Sequence, residues 1–418
     1  MIAIIGGGLA GLACAKDLVA AGYEACILES SQRVGGRVAT DPLGGYLVDR
    51  GFQVLLDSYS ELRPYLPALR PRYFDSGAIL WDQGKKWTLR NPLFHPFSAI
   101  SSGLAGAFSL SDKLAVTRLA MDTLTRSDVA WLTEAAQAGD TSMLDSLRGL
   151  GVSPTAIERF FRPFFGGVFL DDSLSASASL FKYYLKKFAI GRAFLPEGGA
   201  GRFPEILADS LPEGVVQTGC RVEGWELAAG RVTALRIQGS GRLPVEYVIL
   251  AMGPAETARF LGGEAPPMTT VATLTLGGAT SLYPEKLLVL PAGRRRLVRH
   301  LVQISNICPA LAPAGRHMIV ATLINGCESP DAIPRARAEI AEIFPAASDM
   351  EIVDFRITRE ATLFSAPGSL RRPQDFHLPP NTALAGDLAG WSCVESSLAS
   401  GRRAARRAFS QICGHKMI

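Results

Sequence analysis

The sequence predicts an α/β protein in two parts, a domain with a βαβ unit at its N-terminus and a discontinuous α+β domain with a mixed or antiparallel sheet and helices. Three observations predict it. The apolar run Met1-Ile2-Ala3-Ile4-Ile5 passes directly into a glycine turn, Gly6-Gly7-Gly8-Leu9-Ala10-Gly11. A second short apolar segment, Ala25 to Leu28, ends on Glu29. Near the other end, Thr382 to Ala385 returns to the opening style and runs into Gly386-Asp387. Strand, G-x-G-x-x-G turn, helix, strand and acidic end, in that order, make a Rossmann-like FAD/NAD(P)-binding domain.

Each element of that unit has a physical reason. Gly6 permits the tight turn, Gly8 lets the backbone approach a pyrophosphate, and Gly11 lets the helix pack closely on the strand. The helix is expected from Leu12 to Ala21, with Gly22 closing it in a left-handed conformation. Free N–H groups at its start face anionic phosphates. The carboxylate of Glu29 can accept hydrogen bonds from ribose hydroxyls and repels a 2′-phosphate, which favours FAD or NAD over NADP. Next come Ser30-Ser31-Gln32-Arg33-Val34-Gly35-Gly36-Arg37 and Gly44 to Gln53. Their paired glycines beside arginines read either as backbone close to a charged ligand or as surface hairpin turns.

From about residue 66 to 194 the pattern changes to helices and aromatic-rich loops, with helical periodicity over Asp112 to Leu124 and Ser179 to Phe188. Pro196-Glu197-Gly198-Gly199 ends this insertion. A helix (Arg202 to Ser210) and strands near Cys220 to Trp225, Val232 to Ile237 and Tyr247 to Ala251 follow. Residues 261–364 alternate strands, such as Val271 to Leu276 and Met318 to Leu323, with turns, and hold a helix at Pro334 to Ile343. A helix from Val394 to Ala408 closes the chain. Residues 1–65, 195–260 and 365–418 are thus expected to form the dinucleotide-binding domain, and 66–194 and 261–364 the substrate domain.

Composition bounds the function. A chain of 418 residues allows two domains, and a net charge of +4 is too small to suggest nucleic-acid binding. Mean hydropathy of +0.18 leaves room for a greasy pocket or a membrane surface contact. The seven cysteines are scattered without a C-x-x-C pair, which suits a reducing compartment. With the first strand starting at Met1, a cytoplasmic location is expected, with peripheral membrane contact left open. The five histidines show no ligand spacing, so no metal is expected.

With these pieces in order, the chain resembles the flavin amine oxidase and phytoene desaturase superfamily, in its desaturase-like branch. Four blocks carry the resemblance: Gly6 to Gly11 with Glu29; Gly35-Gly36-Arg37; Pro196 to Gly199 with Val222; and Gly386-Asp387 through Ser400-Gly401-Arg402-Arg403-Ala404-Ala405. The resemblance implies non-covalent FAD. It implies that Gly6, Gly7, Gly8, Leu9, Ala10, Gly11, Glu29, Ser30, Gly36 and Arg37 hold the nucleotide, with Arg37 neutralising the pyrophosphate. Val222 would meet adenine through its backbone, and Asp387, after Gly386, would accept a hydrogen bond from the ribityl chain. Gly51 and Phe52 would pass beside the isoalloxazine, and the helix start at Val394 would aim its dipole at the ring. Arg50, Gln53, Trp391 and Glu395 are the candidates for lining the reacting face. Trp391 reads equally as a lid over the helix start.

One departure is informative. Where the amine oxidases of this superfamily place an aromatic residue of their amine cage, this chain has Cys393. The strand Val271 to Leu276 also lacks the lysine those enzymes carry. The expected activity is therefore dehydrogenation or isomerisation of an apolar, isoprenoid- or carotenoid-like substrate by hydride transfer to flavin N5. A flavin amine oxidase for a small amine and a non-catalytic FAD-binding partner protein are the alternatives. No second G-x-G-x-x-G exists, so electrons are expected to leave to oxygen or a quinone. Oligomeric state is not readable.

Three segments keep two readings each. Leu93 to Leu110 is an interfacial element or a core helix. Arg294-Arg295-Arg296 with Arg299 binds acidic headgroups or forms a solvated hairpin tip. Phe160 to Phe165 lines a tunnel or fills a core.

Overall fold

A computed structural model describes residues 1–91, 93–95, 108–239, 241–293, 296–370 and 376–416. The opening unit forms as its sequence dictates, with strands Ile2–Ile5 and Ala25–Leu28 pairing in parallel around helix Leu9–Ala20. The helix starts three residues earlier than expected because Gly8, with extended backbone, already serves as its N-cap. Both strands are buried along their length, as parallel strands covered on two faces must be.

Three later segments complete the five-stranded sheet in the order Val216–Gln217, Ala25–Leu28, Ile2–Ile5, Tyr247–Leu250, Thr382–Leu384. All neighbours are parallel. The last strand leads to helix Val394–Lys416, which packs along the opening helix. That packing requires Gly401, since a Cβ there would lie 2.1 Å from the Ala10 carbonyl oxygen. A three-stranded antiparallel sheet, Val222–Ala228, Arg231–Ile237 and Gly241–Pro244, covers one face of the parallel sheet through Val232 and Leu235.

The second large sheet has seven strands, in the order Glu351–Thr358, Val271–Gly278, His317–Leu323, Val298–Gln303, Leu288–Pro291, Gly77–Asp82, Lys85–Arg90. Its pairs are antiparallel except Leu288–Pro291 with Gly77–Asp82. The hairpin Gly77–Arg90 lies in a region expected to be helices and loops. Its strand Ala78-Ile79-Leu80-Trp81 is buried on both faces and so shows no alternation, while Gln83 and Gly84, with φ of 49° and 79°, make the two-residue turn.

Helices Leu110–Thr125, Asp128–Glu134, Met143–Gly149, Arg162–Phe169 and Ala178–Ile190 surround Trp131, Phe165 and Phe181, all fully buried. The arginine cluster does not form a solvated tip at its described positions. Arg299 is fully buried and bonds Asp172 (2.7 Å) and the Gly293 carbonyl, and Arg296 bonds the Ala292 carbonyl and Glu342. Arg294 and Arg295, and residues 92 and 96–107 of the apolar stretch, lie outside the described residues.

Candidate active site

The glycine turn has the geometry its chemistry needs. Gly6 has φ of +112°, and a Cβ on it would come within 2.7 Å of the Ala251 carbonyl oxygen. A Cβ on Gly11 would lie 2.0 Å from the Gly6 oxygen, whereas one on Gly8 would point into open space. That space is a cavity of about 1620 Å³. Gly6, Gly8, Leu9 and Ala10 line it, and the unbonded N–H groups of the helix start face it. Gly7 and Gly11 stand behind this surface; the Gly7 N–H donates to Glu29 Oε2 at 2.7 Å. The other Glu29 oxygen accepts from the Ser31 N–H at 2.8 Å. Glu29 is therefore buried and hydrogen-bonded at the cavity wall, beside Ser30 and Val222.

Farther along, Arg37 and Asp387 meet across the cavity. Arg37 Nη2 donates to Asp387 Oδ2 at 2.7 Å and Nη1 to the Ala361 carbonyl at 2.9 Å. The Ser392 hydroxyl donates to the same Asp387 oxygen, and the Gly386 N–H donates to Ser400 Oγ. Gln53 Nε2 donates to the carbonyls of Arg37 (2.7 Å) and Arg50 (3.2 Å), locking the two glycine-rich loops together. Gly36, Gly51, Phe52, Gly386 and Val394 line this stretch.

Three candidates for the reacting face are engaged by neighbouring protein groups. Arg50 lines the cavity, but its guanidinium is held by both oxygens of Asp41. Burial alone would raise the Asp41 pKa, but hydrogen bonds from Arg50, Arg356 and Arg33 outweigh it and hold the carboxyl far below its usual range. Glu395 turns away from the cavity and accepts from Ser60 N, Ser60 Oγ and Glu61 N at 2.8, 2.6 and 2.9 Å. It ties a loop to the helix start, where a carboxylate also complements the helix dipole. Trp391 packs in the helical core, edge-on to Tyr183 at 5.5 Å, which matches the lid reading.

Other side chains at the cavity wall were not singled out from sequence. On the seven-stranded sheet, Thr273 pairs with Thr322 and Thr322 with His300, and all three line the cavity. His300 Nε2 lies 3.0 Å from the Phe164 carbonyl, so that nitrogen carries the proton in the neutral ring. Burial lowers the His300 pKa to about 4, against hydrogen bonds to the Phe164 and Pro163 carbonyls that raise it. The ring packs edge-on to Phe52 at 6.0 Å. Opposite, Cys393, Tyr59 and Tyr184 line the cavity, and burial raises all three pKa values. Each is neutral at pH 7. Strand Val298–Gln303 is buried at every position and shows no alternation, so nothing local marks His300, and nothing local marks Tyr59.

Beyond these groups the walls turn apolar. Phe160 and Phe164 stack at 5.7 Å and 9° and line the cavity, while Phe165, one residue on, is fully buried in the core. The Phe160 to Phe165 segment thus does both jobs. A π-helical turn at Ile157–Phe161 adjusts which rings face inward.

The family model described as flavin containing amine oxidoreductase matches residues 9–408. The chain belongs to this family. Its members are FAD-dependent oxidoreductases, and FAD is the cofactor. The chain is 26% identical to a phytoene dehydrogenase of Streptomyces griseus over 292 residues, 62% of this chain and 56% of that one. It is 27% identical to the coproporphyrinogen III oxidase of Bacillus subtilis (strain 168) over 202 residues, 44% of this chain and 40% of that one. These matches span about half the length of the curated relatives. A solved oxidoreductase from Methanosarcina mazei shares the fold, with a TM-score of 0.73 at 18% identity over 97% of this chain and 99% of that one.

The site suits what a flavin dinucleotide requires. Its volume exceeds the ~300–1,000 Å³ of an ordinary ligand pocket, leaving room for a cofactor and a substrate together. Gly8 leaves its approach open, and the Glu29 oxygens keep lone pairs beyond those used by Gly7 and Ser31.

Proposed function

We propose that the protein is an FAD-dependent oxidoreductase that dehydrogenates, or isomerises, an apolar isoprenoid- or carotenoid-like substrate. The observation that carries this reading is the cavity's apolar arm. Phe160, Phe164 and Phe188 wall it from one side and Val116, Ala120 and Leu124 from another. The likeness to a phytoene dehydrogenase over 62% of the chain supports the same substrate class.

FAD, when bound, supplies a two-electron acceptor that takes a hydride at N5. The chain's own part is to bind, orient and exclude water. In this reading Gly6, Gly8, Leu9, Ala10, Glu29, Ser30, Gly36, Arg37 and Val222 hold the nucleotide, with Gly7 and Gly11 shaping the turn. Gly51, Phe52, Gly386, Asp387 and Val394 meet the rest of the cofactor. Arg50 and Gln53 position the loops. Neutral His300, Thr273, Tyr59 and Cys393 surround the reacting region; a hydride would leave one substrate carbon and the neighbouring carbon would release its proton to water or to His300 as the double bond forms. Electrons then pass to oxygen or a quinone. In this reading residues 1–65, 195–260 and 365–418 hold FAD and residues 66–194 and 261–364 the substrate, with the small sheet of Leu55–Leu56, Ala193–Leu195 and Arg72–Tyr73 joining the two parts.

Anaerobic mixing of the yellow holoprotein with a polyene panel and an amine panel tests this reading. Bleaching of the flavin by a polyene is expected; bleaching by amines alone, with peroxide formed on re-aeration, would establish the amine oxidase reading instead. A flavin that no substrate of either panel reduces would favour a non-catalytic FAD-binding partner.

A further inference from the structure

We infer that the apolar rim around helix Leu110–Thr125 docks on an anionic lipid bilayer and admits the substrate from it. The inference rests on the apolar substrate class proposed above and adds the surface through which that substrate arrives. Leu110, Leu114 and Met121 are 75%, 56% and 63% exposed. Their spacing of four and seven residues puts them on one face of the helix, while Ala115 and Leu119 pack into the core on the other. Leu93, Val116 and Met121 are exposed and also line the cavity, so rim and cavity wall are the same side chains. Val129, 72% exposed, extends the rim onto the next helix. Seven of the ten large apolar side chains exposed among the described residues fall between Leu93 and Val129. So dense a patch calls for a partner.

Charge selects the occupant. The acidic groups of this face are all held within the protein. Asp122 pairs with Lys182, Asp128 with Lys186 and Lys187, and Glu134 with Arg126. Asp112 turns inward to the donors of Ser109 and Ser153. Lys113 and Arg118, on the rim helix itself, enter no ion pair among the described residues. A second copy of this face would set cation against cation. An anionic bilayer takes up the apolar stripe at its interface and the two cations at its headgroups. No described helix is long and apolar enough to cross a membrane.

Flotation of the holoprotein with vesicles tests the surface. Binding is expected to equimolar phosphatidylcholine and phosphatidylglycerol and to be weaker on phosphatidylcholine alone. The double variant Leu110→Glu, Leu114→Glu touches neither cavity nor core and should bind at least ~10-fold more weakly, with flavin spectrum and Tm unchanged. Arg118→Gln should weaken binding about fivefold. The docking surface is overturned if the holoprotein binds neither vesicle, or if the double variant floats as well as the parent. It is also overturned if the lipid-free protein is a dimer that the double variant dissociates. Turnover of a detergent-solubilised polyene separates this inference from the substrate reading. Its persistence without vesicle binding sinks only the docking surface, and vesicle binding without any polyene turnover sinks only the substrate class.

Discussion

The nucleotide end of the cavity and its helical end are built by opposite means. At the nucleotide end backbone touches backbone: Gly6 against Ala251, Gly11 against Gly6, Gly401 against Ala10, with no side chain between them. At the helical end large rings fill the space, with Phe161, Phe165 and Phe181 in edge and offset contact. Contacts of the first kind tolerate no added atom, and those of the second tolerate no lost one. The first end is therefore specified residue by residue, the second by volume.

The largest effect that would sharpen this contrast belongs to the helical end. Phe165→Ala should cost about 3–5 kcal/mol in chemical denaturation, while Phe160→Ala, on the cavity wall, should cost well under half as much. Equal losses would mean that the wall is core. Next, Gly11→Ala drives a Cβ into the Gly6 carbonyl and should cost roughly 3 kcal/mol. It should also lower the flavin content of purified protein, which Phe165→Ala should spare in whatever fraction folds.

The nucleotide loops and the seven-stranded sheet differ in the sign of their pH dependence. Asp49, in the hairpin Thr40–Asp49 beside the nucleotide loops, has its pKa raised by burial to about 6, against hydrogen bonds from Thr40 and Ala200. Its native state binds the proton more tightly, so its contribution is full below the unfolded pKa of 3.8 and is lost as pH rises through about 6. His300 runs the other way. Its pKa falls from 6.5 to about 4, so stability is lost as pH drops between those values. In the parent protein the two slopes oppose one another. Asp49→Asn should therefore be the more stable protein at pH 8, on the order of 2 kcal/mol, and lose that advantage by pH 4. His300→Gln should lose less stability than the parent as pH falls from 7 to 4. Urea midpoints across this range read both, and parallel profiles for parent and variants would refute the assignment. The smallest effect is Ser109→Ala, which removes the capping box of helix Leu110–Thr125 and should cost about 1 kcal/mol.

How legible each part was follows from the range of the interactions that build it. Gly6, Gly8, Gly11 and Glu29 act on neighbours within one βαβ unit, and all four took the expected places. Helix Ala178–Ile190 was likewise visible in its own periodicity. The hairpin Gly77–Arg90 was not, because its burial comes from pairing with Leu288–Pro291, some 200 residues on. The partners of Glu395 and Arg50 were hidden for a related reason. A carboxylate at a helix start and an arginine beside a glycine loop both suggest a ligand, but Ser60 and Asp41 satisfy them first.

By itself, the sequence determined the βαβ turn and the flavoprotein family, because steric exclusion at a glycine and the alignment of helix N–H groups are local. Only the tertiary structure decided which side chains line the far part of the cavity. His300, Thr273 and Thr322 meet through register across three strands, and Tyr59 and Cys393 through the docking of a loop on a helix. Such contacts depend on packing between segments distant in the chain, and no short-range pattern of residues encodes them.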